Sequence, residues 1–179
     1  MKTIFLTLAL GLSFAAHGGN VDLTKSSFAW KGTKVTGKHI GKVGLQSADL
    51  NLGPDGRIKK GQVVIDLNKI TVTDLEGEWA EKFLTHIKSA DFFDIKKYPT
   101  AKLIIISDDG KALKGKMTIR NKTRDVTVKY TKVGKVYSGV LNFNRTKFDM
   151  KYGSGSFFKG LGDKMVHDNV SVDFKVVLK

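Results

Sequence analysis

The chain contains no cysteine, so disulfides and thiolate metal sites are excluded. Acidic residues are scarce: 17 Asp and Glu stand against 31 Lys and Arg, for a net charge of +14. Long apolar runs are missing beyond residue 14, so no transmembrane helix is expected in the body of the chain. Internal repeats and low-complexity tracts are absent. So are HxH, HExxH and paired carboxylate–His spacings, and no metal site is expected. Gly153-Ser154-Gly155-Ser156-Phe157 imitates a nucleophile motif, but it lies between strands, whereas a nucleophile elbow needs a helix after it. No catalytic residue is assigned, and the chain is not expected to be an enzyme.

What is present begins with a leader. Lys2 precedes an apolar stretch over residues 4–14, followed by Ala15, Ala16, Gly18 and Gly19. This is the pattern of a secretory signal peptide, assigned to residues 1–18, with cleavage after Ala15 or Gly18. No Cys is available for a lipid anchor. The expected mature protein is a single domain over residues 19–179, periplasmic or secreted, large enough to bury about 68–70% of its unfolded surface. Lys2 is the leader's only charge, so 14 − 1 = +13 remains on the mature chain.

The body alternates apolar and polar residues. In the last segment Val170, Val172, Phe174, Val176 and Leu178 fall on one side, and Ser171, Asp173, Lys175 and Lys179 on the other. Period two over this length predicts a strand with one wet and one buried face. Similar alternation runs through Phe28 and Trp30, through Ala48, Leu50 and Leu52, through Val63, Ile65 and Leu67, and through Ala101, Leu103 and Ile105. Further strands are predicted over 111–120, 124–132, 135–144 and 166–178. Only EGEWAEKFLTHIKS breaks the period. Trp79, Phe83 and Ile87 recur there every four residues, which predicts one amphipathic helix over about 76–88, with Asp74 as its cap. The chain is therefore all-β, an antiparallel barrel of about 8–10 strands with one inserted helix, and such a barrel has room for one small apolar ligand.

The cations alternate with the apolar positions, as Lys114, Lys116 and Arg120 do with Leu113, Met117 and Ile119. They read first as a solvated surface that protects strand edges, and second as an attraction toward anionic membrane headgroups, a transient contact. Nucleic acid is not an expected partner of an exported protein with no base-stacking cluster.

The aromatics outnumber what strands rich in aliphatics need for filling. They read either as a packed core or as a pocket walled by strands and roofed by the helix and by two Phe-bearing loops. The candidate ligand-binding residues are Phe28, Trp30, His39, Trp79, Phe83, His86, Ile87, Phe92, Phe93, Leu103, Ile105, Met117, Ile119, Arg145, Phe148, Phe157 and Phe158. His39, His86 and Arg145 are the groups available to a ligand's polar end, although a lone His is more often a structural hydrogen-bonding residue. Asn121, Asn144 and Asn169 stand in glycosylation-type triplets, and two of them read as strand-end residues tolerant of positive φ.

Four stretches carry a family resemblance: Trp30-Lys31-Gly32 through Gly41, Ile70 through Glu78, Leu84 through Ala101, and Asn144 through Lys164, joined by Gly115-Lys116-Met117-Thr118-Ile119. Together they resemble the YceI-like family of exported bacterial proteins over essentially the whole mature chain. The resemblance implies a lipocalin-like antiparallel barrel that takes a long isoprenoid, or an isoprenoid quinone, into its interior for transport or storage. No other cofactor is expected. By the same analogy a homodimer through exposed strand surface is implied. An enzyme acting on a lipid or quinone, with His39 or His86 paired to Asp74 or Asp91, is the alternative. A solid barrel acting through its basic exterior is the third reading.

Overall fold

The structure is a computed structural model that describes residues 20–179. The expected leader, its cleavage sites and His17 lie outside the described residues. Eight strands follow one another: β1 (Val21–Lys34), β2 (Gly37–Leu52), β3 (Ile58–Asp66), β4 (Thr100–Asp108), β5 (Ala112–Ile119), β6 (Lys122–Val133), β7 (Val136–Asn144) and β8 (Val166–Leu178). Each pairs antiparallel with the next, and β8 returns to β1, closing an eight-stranded barrel. Closure removes most of the strand edges, although β6 pairs with β7 only over Tyr130 to Val133. Among the described residues one α-helix, α1 (Gly77–Lys88), is inserted between β3 and β4. The all-β architecture with one inserted helix is thus as the alternation implies.

The two ends of the barrel differ. Short turns at residues 53–57, 109–111 and 134–135 close one end. The long connections, 67–99 and 145–165, lie at the other, together with the β1–β2 and β5–β6 hairpin tips. At the short-turn end Val21, Leu50, Ile58, Ile105, Leu113, Tyr137 and Val176 form a buried floor. Its polar atoms are paired. Tyr130 Oη donates to both oxygens of Asp108 (2.8 and 2.9 Å), and Tyr137 Oη donates to the Gly56 carbonyl (2.9 Å). Burial and the Asp108 charge push the Tyr130 phenol well above its usual range, so it stays a neutral donor.

One local expectation is corrected, and one unassigned segment proves to be strand. Asp74 does not cap α1. The helix follows Glu76, which makes no side-chain cap bond, while Asp74 reaches back to accept the Ile40 N–H (2.9 Å) and to meet His39 Nδ1 (2.9 Å). Residues 37–44, glycine-dense and given no element from sequence, form the start of β2. Gly41 is needed there because a Cβ would lie 1.9 Å from the Thr71 carbonyl oxygen, where the segment after β3 crosses over the strand. The Trp30 indole N–H donates to that same carbonyl (3.0 Å). Asn121 does adopt positive φ (58°), in the β5–β6 turn. Asn144 instead accepts the Thr146 N–H (2.8 Å) and starts a short 3-10 turn.

Candidate functional site

Above the floor the barrel is hollow. A cavity of about 320 Å³ opens toward the end bearing the long connections. Phe28, Val63 and Leu103 lie deepest among its lining residues, and Thr33, Lys34, Tyr152 and His167 lie at its rim. From Lys34 down to Phe28 is six residues of tilted strand, which makes the hollow about 15 Å deep. Its wall is apolar because inward positions recur every second residue. Leu141 and Phe143 on β7 and Val170 and Val172 on β8 all face it.

The helix forms the roof. Phe83 stacks on Trp30 (centroids 5.9 Å apart, planes 9° off parallel), and the His39 ring lies 4.7 Å from Phe83. His86 sits edge-on between Phe92 (5.2 Å) and Tyr152 (4.4 Å). Phe92 and Phe93 belong to the tight turns after α1, in which the Phe93 N–H donates to the Ile87 carbonyl (3.1 Å).

Three histidines therefore line the cavity, each placed differently. His39 is bonded to Asp74. Burial pushes that carboxyl up, but the Ile40 N–H and His39 outweigh it and hold it below the usual carboxylate range. The ionised Asp74 fixes the imidazole's orientation through Nδ1. His167 Nδ1 pairs with Thr33 Oγ1 (2.8 Å). His86 Nδ1 lies 3.7 Å from Asp91, beyond hydrogen-bond range, and its Nε2 is buried with no partner.

Arg145 also touches the cavity, but its donors are engaged. Nε donates to the His167 carbonyl (3.0 Å), Nη1 to the Met150 carbonyl (2.5 Å) and Nη2 to the Val166 carbonyl (3.0 Å). Asp168 stands 3.6 Å from Nη2, and the guanidinium covers the Phe92 ring at 5.6 Å. Burial pulls its proton affinity down, and Asp168 opposes that. Arg145 is the clamp that joins the 3-10 turn after β7 to the start of β8.

Of the candidate residues, Phe28, Trp30, His39, Phe83, His86, Ile87, Phe92, Phe93, Leu103, Met117, Ile119 and Arg145 line this one cavity. Five fall elsewhere. Trp79 is 72% exposed, because a strict four-residue spacing drifts by about 80° over eight residues at 100° each. Phe83 and Ile87 keep the inner face, and the Trp79 ring lies outside with Lys82 Nζ 5.6 Å away. Trp79→Ser is accordingly expected to change stability by less than about 0.5 kcal/mol in a denaturant titration. Ile105 belongs to the floor. Phe148 packs behind the wall against the cavity-lining Met150, edge-on to Phe143 at 5.8 Å. Phe157 and Phe158 are each 51% exposed. Their loop is pinned by fully buried Ser154, whose carbonyl accepts both of their N–H groups, so the rings turn outward rather than over the mouth. Tyr152, which does stand at the mouth, carries no periodic signal and was not legible.

Known proteins place this geometry. No match was found among curated proteins. Among solved structures, BcnA of Burkholderia cenocepacia is 25% identical, with a TM-score of 0.67 over 89% of this chain and 99% of that one. A polyisoprenoid binding domain from Saccharophagus degradans is 12% identical, with a TM-score of 0.62 over 89% of this chain and 97% of that one. The Campylobacter jejuni YCEI protein is 15% identical, with a TM-score of 0.56 over 100% of this chain and 91% of that one. The latter two, at such identities, speak to fold alone. The YceI-like domain model matches residues 20–178, and the chain belongs to that family.

Proposed function

We propose that this protein is an exported carrier that shields the apolar chain of an isoprenoid lipid, or of an isoprenoid quinone, for transport or storage. The observation that carries the reading is the apolar cavity of about 320 Å³ with one open end. Burying a methylene gains about 0.8 kcal/mol, so about ten of them gain about 8 kcal/mol, which corresponds to a micromolar complex before ordering costs. A tail of about forty carbons would notionally gain about 30 kcal/mol, beyond the saturation of about 20, so few polar contacts are needed. The hollow is too shallow for such a tail to lie extended, so it folds back inside or projects past the rim. The test is to purify the exported protein, measure its native mass and intact N-terminus, and identify lipid released by solvent extraction. An isoprenoid released in about one copy per chain is expected. Protein that neither holds nor takes up such a lipid overturns the reading.

The head of the ligand lies toward the open end, where His39, held by Asp74, and His86, whose Nε2 has no partner, face the cavity. The unpartnered His86 Nε2 is a group whose isolation costs about 1–3 kcal/mol, and a head that bonds it removes that cost. His39→Ala and His86→Ala are each expected to shift relative affinity between lipids of different head but equal tail by about fivefold, as measured by competition. Unchanged head preference in both variants counts against the assignment.

A lipid- or quinone-modifying enzyme is the second reading. One observation favours it: the His39–Asp74 pair at 2.9 Å on a cavity wall, an arrangement able to accept and return a proton. Chemical change of a bound isoprenoid that stops in Asp74→Asn would establish it.

A further inference from the structure

One sector of the rim has no counterpart around the mouth. There the β1–β2 hairpin tip lies beside the 151–165 segment: the Val35 N–H donates to the Met165 carbonyl (3.1 Å), Lys34 is in register with Val166, and Gly155 packs on Met165. The sector faces outward with Val35 and Tyr152 (48% exposed each) and with Phe157 and Phe158 (51% each). Exposed lysines are set among them at positions 34, 38, 151, 159 and 164, and Lys151 Nζ lies 5.0 Å from the Phe157 ring. Asp163 is the one carboxylate along residues 151–165. On the outer face of α1 Trp79 is also exposed, but Glu76, Glu78 and Glu81 lie within three positions of it, and Lys82, whose ammonium is 5.6 Å from its ring, is paired with Glu78.

The Ser154 turn holds the two phenylalanines out of the barrel, where they contribute nothing to its core. Adjacent half-exposed aromatics, with the Lys151 ammonium against one ring (and 3.8 Å from Asp149) and Lys159 next in sequence to the other, have the amphipathic make-up of a surface that beds in the interface of an anionic bilayer. The patch also touches the cavity, because Lys34 and Tyr152 belong to both. We propose that this sector docks the protein on an anionic lipid surface, with Phe157 and Phe158 at headgroup depth and the lysines against the phosphates. The open end of the barrel then meets the membrane from which a tail is drawn. The inference rests on the carrier reading for its purpose, but not for its geometry.

The test is sedimentation with vesicles of phosphatidylcholine alone and of phosphatidylcholine with an equal part of phosphatidylglycerol. Binding is expected to the anionic vesicles only, with release at about 1 M salt, where the screening length falls to about 3 Å. Phe157→Ser with Phe158→Ser, and separately Lys151→Glu with Lys159→Glu, are each expected to weaken it at least tenfold. Lys60→Glu with Lys129→Glu, the same charge change on the barrel's outer face, should stay within about threefold of the wild type. None of these residues lines the cavity, so uptake of an isoprenoid from detergent should be unchanged in every variant. Equal binding to both vesicle types, or patch variants that bind like the wild type, overturns the proposal. A changed native mass with unchanged vesicle binding overturns it in favour of a second copy covering the patch. Vesicle binding that persists while no isoprenoid enters the cavity leaves docking in place and removes the carrier reading.

Discussion

Ala101→Trp is expected to lower isoprenoid affinity at least a hundredfold while the barrel still folds. Ala101 lines the cavity from β4, opposite Ile65 of β3. An indole there would take up much of a hollow of about 320 Å³. Because the new ring enters empty space, the overpacking cost should stay near the lower end of about 1–3 kcal/mol. Near-ultraviolet circular dichroism and a denaturant titration report the fold, and displacement of a bound fluorescent polyene reports the cavity. Ile104→Trp, three residues along the same strand and 44% exposed on the outer surface, is the control and should bind normally. Phe28→Ala works in the opposite direction. Phe28 stacks with Phe174 (6.5 Å) at the bottom of the cavity, and its removal deepens the hollow toward the floor. Preference should then move to longer tails. If Ala101→Trp binds as well as the wild type, the ligand is held somewhere other than this cavity.

The walls of this cavity were legible because a strand's inward positions repeat every second residue whatever lies behind them. Val170, Val172 and Val176 were assigned to one face from spacing alone, and the first two border the hollow while Val176 joins the floor. Spacing does not say which inward residues pack and which face empty space. Leu103 and Ile105 are equivalent in sequence, yet one lines the cavity and the other is sealed below it. That division depends on how far the side chains of other strands reach. Residues 37–44 were missed as a strand because glycine weakens the local β signal. What fixes that strand is its ladder with β1 on one side and, on the other, the Thr71 and Thr73 N–H groups donating to the Lys42 and Ile40 carbonyls, with Thr71 passing close over Gly41. Asp74 was misread for a similar reason: its partners, Ile40 and His39, are more than thirty positions earlier. The loop phenylalanines mislead most, since a pair of neighbouring aromatics signals burial or contact without saying on which side of the loop they stand.

Arg145→Ala is expected to destabilise the protein by about 3–5 kcal/mol, far more than any single residue of the rim. The residue is 2% exposed, and its side chain bonds three carbonyls, those of Met150, Val166 and His167. Without it those acceptors lose their donors, and Asp168 loses the cation 3.6 Å away. At this chain length that loss lowers Tm by about 6–20 °C. Arg145→Lys should recover little, because one ammonium cannot reach three carbonyls that surround a planar guanidinium. The deficit should also depend on pH in a defined direction. Burial pushes the Asp168 carboxyl up, but the Ser154 and Ser156 hydroxyls, Arg145 and His167 outweigh it and hold it below the usual carboxylate range. A carboxyl depressed in the folded state adds stability above its unfolded value, and loses it as pH falls through the folded one. In the variant that depression is relieved, so less remains to be lost. The gap between wild type and variant should therefore be widest near neutrality and narrow below about pH 4. Urea titrations of both proteins between pH 3 and pH 7 check this. A variant as stable as the wild type, but altered in head preference, would return Arg145 to the ligand and leave β8 to be held by its ladder alone.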